Sequence, residues 1–249
     1  MEINRKDILK ICEIAWKAGR KILEIYSKKY TIYKKKDKSP VTIADLESEK
    51  IIINGLKKIY KNPIIFSEET NYKTKKNMSD FWLVDPLDGT KEFIKKNGEF
   101  TVNIAFIQNK KPLFGLIYAP VLNKTYVGIK KSTYKVFKKK KLKKISLKKS
   151  INKALIVSRS HSDKGKNKIL MKKFNLDKVL FLGSSLKFCY LAEGIAQIYP
   201  RQGTTYEWDT AAGHAILNGV SGEIKTEDGK NLEYGKKDFK NKNFIAKLF

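Results

Sequence analysis

Cysteine, histidine and arginine are all scarce in this 249-residue chain, which has two cysteines, two histidines and only four arginines among its 53 basic residues. The cysteines, Cys12 and Cys189, stand alone, without a C-x-x-C pair or a histidine cluster, and this excludes a disulfide framework and a zinc site. Such usage suits a reducing compartment, and a cytoplasmic location is expected. No window approaches the ~20 apolar residues of a membrane span. The opening residues Met-Glu-Ile-Asn-Arg-Lys-Asp lack the basic start and unbroken apolar stretch of a signal peptide. What is present is a 41% hydrophobic chain, enough for one large core or two small ones.

Acidic residues are also few, 25 against 53 basic, for a formal net charge of +28. Clustered lysines raise affinity for nucleic acid or anionic membrane. The arginines, however, are only Arg5, Arg20, Arg159 and Arg201, while lysine is scattered through every segment beside isoleucine and asparagine. That pattern reads as solvated positions filled with lysine rather than a dedicated nucleic-acid face, which would concentrate arginine and exposed aromatics in one patch. No specific nucleic-acid partner is expected. A general positive field would still gather anionic substrates, and peripheral association with an anionic membrane stays open.

Along residues 3–30, Ile8, Ile11, Cys12, Ala15, Ala18, Ile22 and Ile25 recur at three- and four-residue steps, the mark of an amphipathic helix. A lysine-rich connector follows from Tyr33 to Pro40. A second helix opens at Val41-Thr42-Ile43-Ala44-Asp45 and ends before Asn62-Pro63. Short apolar runs at 63–66, 81–85, 101–107, 113–118, 126–129 and 134–137 read as strands. The lysine run through residues 138–149 marks a surface hairpin or linker. Beyond it, strands at 154–158, 179–182 and 195–199 alternate with helical stretches near 164–174, 185–193 and 209–218, which argues α/β layering. The expected division is 1–145, an N-terminal α+β subdomain, and 146–249, a C-terminal α/β subdomain.

The densest chemistry lies at Phe81-Trp-Leu-Val-Asp85-Pro86-Leu87-Asp88-Gly89-Thr90. An apolar strand would deliver two carboxylates at its end, Pro86 would fix the local backbone, and Gly89 would allow a sharp turn. Crowded oxygen ligands suit a hard cation such as Mg²⁺, which takes them at roughly 2.0–2.1 Å. A helix starting after Gly89 would add unpaired amides that favour a phosphate oxygen. The alternative at this point is a plain acidic turn closed by Asp-Gly. A second acidic pair, Glu68-Glu69, follows the strand at 63–66. Asp209, ahead of an alanine-rich helix, is on its own most simply an N-cap.

Taken together, Ser67-Glu68-Glu69, Asp85-Pro86-Leu87-Asp88-Gly89-Thr90 and Trp208-Asp209-Thr210-Ala211-Ala212-Gly213 resemble, in order and spacing, the three motifs of the lithium-sensitive, magnesium-dependent phosphatases that include inositol monophosphatase. Within that superfamily the chain is most similar to the CysQ-type 3'(2'),5'-bisphosphate nucleotidases. The branch-specific stretches are Lys38-Ser39-Pro40-Val41-Thr42-Ile43-Ala44-Asp45, Lys91-Glu92-Phe93-Ile94, Asn97-Gly98-Glu99-Phe100-Thr101-Val102-Asn103, Ser158-Arg159-Ser160-His161 and Gly183-Ser184-Ser185-Leu186-Lys187-Phe188-Cys189. Inositol monophosphatases typically carry Thr-Asn-Phe where this chain has Lys91-Glu92-Phe93.

The resemblance implies a layered α/β/α/β/α sugar-phosphatase fold and hydrolysis of adenosine 3',5'-bisphosphate to AMP and phosphate, within sulfur metabolism. It implies two or three Mg²⁺ ions. Glu68, Asp85 and the Leu87 carbonyl would hold one, and Asp85, Asp88 and Asp209 a second, with a weaker third near Glu68. Thr90, hydrogen-bonded to Asp45, would help Glu68 orient and deprotonate the attacking water. Gly89 and Thr90 amides would grip the phosphate, and Ser158, His161, Gly183 and Lys187 would line the nucleotide pocket together with Asp209. A homodimer is a family-level expectation. The alternatives are an inositol or sugar monophosphatase on the same fold, and a nucleic-acid-binding protein using the basic surface.

Overall fold

In a computed structural model of the chain, the described residues are 2–34, 40–70, 78–138, 141–147, 151–160 and 162–249. Helix α1 (Arg5–Tyr26) opens on Asn4, whose Oδ1 accepts from the Lys6 and Asp7 amides at 2.8 and 3.1 Å. Asp7 returns the favour to the Asn4 N–H (3.2 Å), so both ends of the capping box are made. A short hairpin follows, β1 (Ile32–Lys34) against β2 (Pro40–Thr42), and then helix α2 (Ile43–Ile59). The second helix therefore starts two residues later than the sequence pattern suggested, because Val41 and Thr42 are held extended by pairing with Tyr33 and Ile32. Thr42 then serves as the N-cap.

The chain next builds β3 (Ile65–Ser67), β4 (Asp80–Asp88), the short helix α3 (Thr90–Ile94), and β5 (Thr101–Gln108), β6 (Lys111–Ala119), β7 (Lys124–Ile129), β8 (Ser132–Val136) and β9 (Leu142–Lys144). These seven strands form one sheet in sequence order. It is antiparallel throughout except for the β3–β4 pair, which is parallel. The lysine-rich stretch is thus partly a strand, since Leu142, Lys143 and Lys144 pair with β8; residues 139–140 and 148–150 lie outside the described residues. A second sheet comes from β10 (Ala154–Ser158), β11 (Lys178–Leu182), β12 (Ile198–Arg201), β13 (Glu223–Thr226) and β14 (Phe244–Lys247), in the order 11-10-12-14-13. Its helices are α4 (Lys164–Lys173), α5 (Leu186–Ala192) and α6 (Glu207–Asn218).

The cores give the layering. Trp82 and Val84 of β4 pack with Ile8, Ile11 and Ile52 of α1 and α2, while Phe81 and Leu83 face the opposite way onto Ala211, Ala212 and Ile216 of α6. A strand buried on both faces has no polar alternation to show, which is why β4 reads as a continuous apolar run. The same middle core holds Phe188 and Leu191 of α5 with Ile156 and Ala246 of the second sheet. On that sheet's outer face Leu155, Val157 and Ile198 pack against Leu170, Met171 and Phe174 of α4. The order is helices, seven-stranded sheet, helices, five-stranded sheet, helix: the α/β/α/β/α arrangement. Because α6 lies against the first sheet, residues from both sides of position 145 share one core.

Candidate active site

Pairing register brings the first carboxylates together. Ser67 lies opposite Val84 in the parallel β3–β4 pair, and the Glu68 amide continues the ladder to the Val84 carbonyl (3.1 Å), so Glu68 comes to lie beside Asp85. At Pro86, which has no N–H to donate, the β4–β5 register shifts between Asp85 and Asp88. Asp85 Oδ1 accepts the Leu87 amide (3.1 Å), and the Pro86 carbonyl accepts Ser48 Oγ (2.7 Å). Gly89 then turns the chain at φ +92°, a left-handed conformation that a side chain would strain, and α3 begins at Thr90.

Asp209 arrives from the far end of the sequence on α6. It is not the N-cap: the helix starts at Glu207 after Tyr206, and Asp209 sits in its first turn, where Oδ2 accepts the Tyr206 amide at 2.8 Å. Glu68, Asp85 and Asp209 each present a carboxylate oxygen within 4.8 Å of the other two. Asp88 lines the same cleft, with Oδ2 held by the Ser185 amide (2.6 Å) and by Asn103 Nδ2 (3.3 Å). Burial, then the negative charges of Asp88 and Glu68, push the Asp209 carboxyl well above the usual carboxylate range. Burial raises Asp88 likewise, opposed by the positive charge of Lys187. Oxygen-only ligands, buried at Asp85 and half-buried at Glu68, Asp88 and Asp209, and repelling one another, are the donor set that a hard divalent cation relieves.

Asp45 is buried (1% exposed) in the first turn of α2. Its Oδ2 accepts from Thr42 N and Oγ1, both at 2.7 Å, and its Oδ1 accepts Thr90 Oγ1 at 3.2 Å. The Thr90 hydroxyl is also 3.4 Å from the Leu87 carbonyl. Thus Asp45, Leu87 and Thr90 meet beside the acidic cluster.

A cleft of about 200 Å³ opens over these groups. Gly89, Thr90 and Asp209 line it, and its other wall carries Ser158, Ser184, Ser185 and Lys187. Lys187 is 3% exposed, with Nζ donating to the Leu182 (3.3 Å) and Ser184 carbonyls and lying 5.2 Å from the Tyr199 ring centroid. Burial pulls its pKa down to about 8, with Asp88 opposing. Gly183 packs at the cleft's edge: its amide donates to Glu99 Oε2 (2.8 Å), and a Cβ there would fall 2.5 Å from Cγ of the cleft-lining Glu92. His161 lies outside the described residues. Glu207 is fully buried and accepts the Gly235 and Lys236 amides (2.7 and 2.9 Å), which pins the first turn of α6.

Arg201 was missed. It lines the cleft from the end of β12, donates to the Thr204 carbonyl (3.2 Å), and its buried Nε has no hydrogen-bond partner among the described residues. The available signal was rarity, for an arginine in a lysine-filled chain marks a place where the planar fork is needed.

One titratable group of α6 supports the fold rather than the cleft. His214 Nδ1 lies 2.9 Å from the Tyr234 hydroxyl, and burial holds its pKa down from 6.5 to about 4. Between those values the unfolded chain binds the extra proton, so stability rises with pH across that window and levels off above it. His214→Gln is expected to flatten this part of a plot of Tm against pH in the metal-free protein; an unchanged slope would show the imidazole to be solvated.

A layered α/β enzyme with an oxygen-only acidic cleft between its halves is the class that fold and site define. The chain belongs to the inositol monophosphatase family, whose model matches residues 4–248. Similar proteins include the 3'(2'),5'-bisphosphate nucleotidase CysQ of Buchnera aphidicola, 44% identical over 98% of this chain and 94% of that one. CysQ of Escherichia coli strain K12 is 39% identical over 96% of this chain and 98% of its own. The crystal structure of CysQ from Bacteroides thetaiotaomicron superposes with a TM-score of 0.84 at 36% identity, covering 98% and 97% of the two chains.

Proposed function

We propose that this chain is a magnesium-dependent 3'(2'),5'-bisphosphate nucleotidase that removes the 3'-phosphate of adenosine 3',5'-bisphosphate, giving AMP and phosphate in the cytoplasm. The observation that carries the reading is the pairing, in one cleft, of an acidic cluster with cationic side chains, Lys187 and Arg201 among them. A substrate with a single phosphate needs only the acidic end and its ions. A substrate with two gives the cations a partner, and the orphaned Arg201 Nε is a donor waiting for an anion.

Glu68, Asp85, Asp88 and Asp209 with the Leu87 carbonyl would hold two or three Mg²⁺ ions, which when bound lower the pKa of a water and neutralise developing charge on phosphoryl oxygens. The protein supplies the rest. Thr90, its proton given to Asp45 Oδ1, keeps lone pairs with which to accept a hydrogen bond from the attacking water. Glu68, whose carboxylate lies within 4.8 Å of those of Asp85 and Asp209, would take the proton. The Gly89 and Thr90 amides, where the chain turns into α3, would bind phosphate oxygens.

Phosphate release with Mg²⁺ should favour adenosine 3',5'-bisphosphate over inositol 1-phosphate and fructose 1,6-bisphosphate, and lithium should inhibit. Lys187→Met and Arg201→Met should each cut that preference by roughly 10- to 100-fold, the scale of one lost charge-assisted contact. A wild-type preference for inositol phosphate would overturn the nucleotide assignment while keeping the acidic centre.

A further inference from the structure

The two halves of the cleft come from different sheets, and several side chains cross between them, among them Asp88, Thr101 and Asn103, which all meet Ser185. Glu99, in the loop before β5, is another. Its Oε2 accepts Arg159 Nε (2.7 Å) and its Oε1 accepts an Arg159 terminal nitrogen (2.6 Å), a forked pair. Oε2 also takes the Gly183 amide at 2.8 Å, and Arg159 donates onward to the Phe181 carbonyl at 2.8 Å. One carboxylate therefore ties together the ends of β10 and β11. Beside it, Glu92 of α3 accepts Ser160 Oγ at 2.8 Å.

The residues attached to these points are those facing the cleft. Ser158 immediately precedes Arg159, and Ser184, Ser185 and Lys187 follow Gly183. On the other side, the Glu99 carbonyl lies 3.2 Å from where a Gly89 Cβ would stand, so the same residue abuts the turn that follows Asp88.

We propose that Glu99 and Arg159 are positioning residues: their forked pair, acting with the Ser185 bonds to Asp88 and Asn103, sets how the Ser158 and Ser184–Lys187 edge stands against the acidic centre, and so which spacing of anionic groups the cleft accepts. The pair touches no reacting atom. It is also partly exposed, 43% on the Arg159 side and 18% on the Glu99 side, so water screens it, although its bidentate geometry makes it stronger than an ordinary surface pair. A merely structural role predicts a fall in Tm with KM unchanged, whereas a registry role predicts a loss of substrate affinity. The inference rests on the nucleotidase reading for its choice of substrate but not for its logic.

The test uses the full chain with Mg²⁺ and the variants Arg159→Met, Arg159→Lys and Glu99→Gln. For adenosine 3',5'-bisphosphate, Arg159→Met should raise KM about 10-fold or more, as misplacements near 1 Å do, with kcat within about threefold. Arg159→Lys should recover only part, because an ammonium keeps the charge and loses the fork. Amide hydrogen exchange over residues 158–160 and 183–187 should speed up in Arg159→Met. Unchanged KM and exchange in a folded variant would overturn the proposal, as would a fall in kcat at constant KM. Should Arg159→Met fail to fold, Glu99→Gln, which keeps the size and one acceptor, carries the same criteria. If the wild type turns over another phosphate ester instead, the nucleotidase reading fails, and the KM criterion is applied to that ester.

Discussion

Asp209→Asn and Asp85→Asn each lower phosphate release by on the order of 10²–10³-fold or more, the scale on which losing one preorganised charge-stabilising group reads out in kcat. Both variants stay folded. The reason lies in the metal-free chain, where Glu68, Asp85 and Asp209 crowd their oxygens within 4.8 Å and burial plus like charge push the Asp209 carboxyl up. A raised acid is a penalty on folding: above its ordinary pKa of 3.8 the native state holds a proton that the unfolded chain has given up, so stability falls as pH rises. Asparagine keeps the size, removes that penalty, and is expected to melt at or above the wild-type temperature in EDTA near neutral pH. Added Mg²⁺ reverses the order, since an ion that binds only the native state raises Tm by mass action and the variants bind it less well. The observables are the kcat of each variant and the shift in Tm between EDTA and Mg²⁺. Full activity in either variant, or a wild-type shift in both, would sink the metal assignment.

Part of this acidic centre was legible in sequence and part was not. Asp85 and Asp88 could be read because a strand ending in Asp-Pro-Leu-Asp-Gly breaks its own ladder: Pro86 lacks a donor, and Gly89 takes a φ of +92°. Glu68 joins them through a parallel register that its own sequence gives no sign of, since three strand residues fix nothing about the neighbour. Asp209 is harder still. Its Oδ2 does the local work of capping the Tyr206 amide, so local pattern leads to a cap, and only the resemblance of three separated motifs assigned it to the acidic centre.

Lys187 and Arg201 mark the opposite limits of composition. In a chain with 53 basic residues one more lysine carries no information, yet Lys187 is buried, while an arginine is rare enough to be noticed. The last strands, β13 and β14, are only four residues each, and β14 alternates buried Phe244 and Ala246 with half-buried Ile245 and Lys247 over too short a span to be distinguished from loop. The α/β layering, by contrast, could be read from short strands alternating with helical stretches beyond residue 150, and the five-layer arrangement came with the resemblance.

Gly128→Ala costs about 3 kcal/mol or more of stability, at or beyond the upper end of what overpacking a core usually costs, because here the obstacle cannot rotate away. Gly128 and Gly115 lie side by side on β7 and β6, and α6 crosses directly over them. A Cβ at Gly128 would stand 2.3 Å from the Ala215 carbonyl oxygen, and one at Gly115 would stand 2.4 Å from the Ala212 carbonyl oxygen. Both obstacles are helix backbone, so relief requires moving α6 bodily. From behind, Gly213 leaves a Cβ only 2.2 Å from the Phe188 ring, so the helix is wedged from α5 as well. Asp209 stands one turn before Ala212 on this same helix, and the depth at which α6 seats decides how close its carboxylate comes to Glu68 and Asp85. A Gly128→Ala protein that still folds should therefore lose Mg²⁺ affinity together with Tm, although residue 128 touches no ligand. Gly165→Ala, on the exposed face of α4, is the control: with only the Asp163 side chain nearby at 3.3 Å, it trades glycine for a better helix former and should gain roughly 0.5–1 kcal/mol. A Gly128→Ala variant with wild-type Tm and metal affinity would mean that α6 does not seat on the sheet through its glycines, and that the position of Asp209 is set elsewhere.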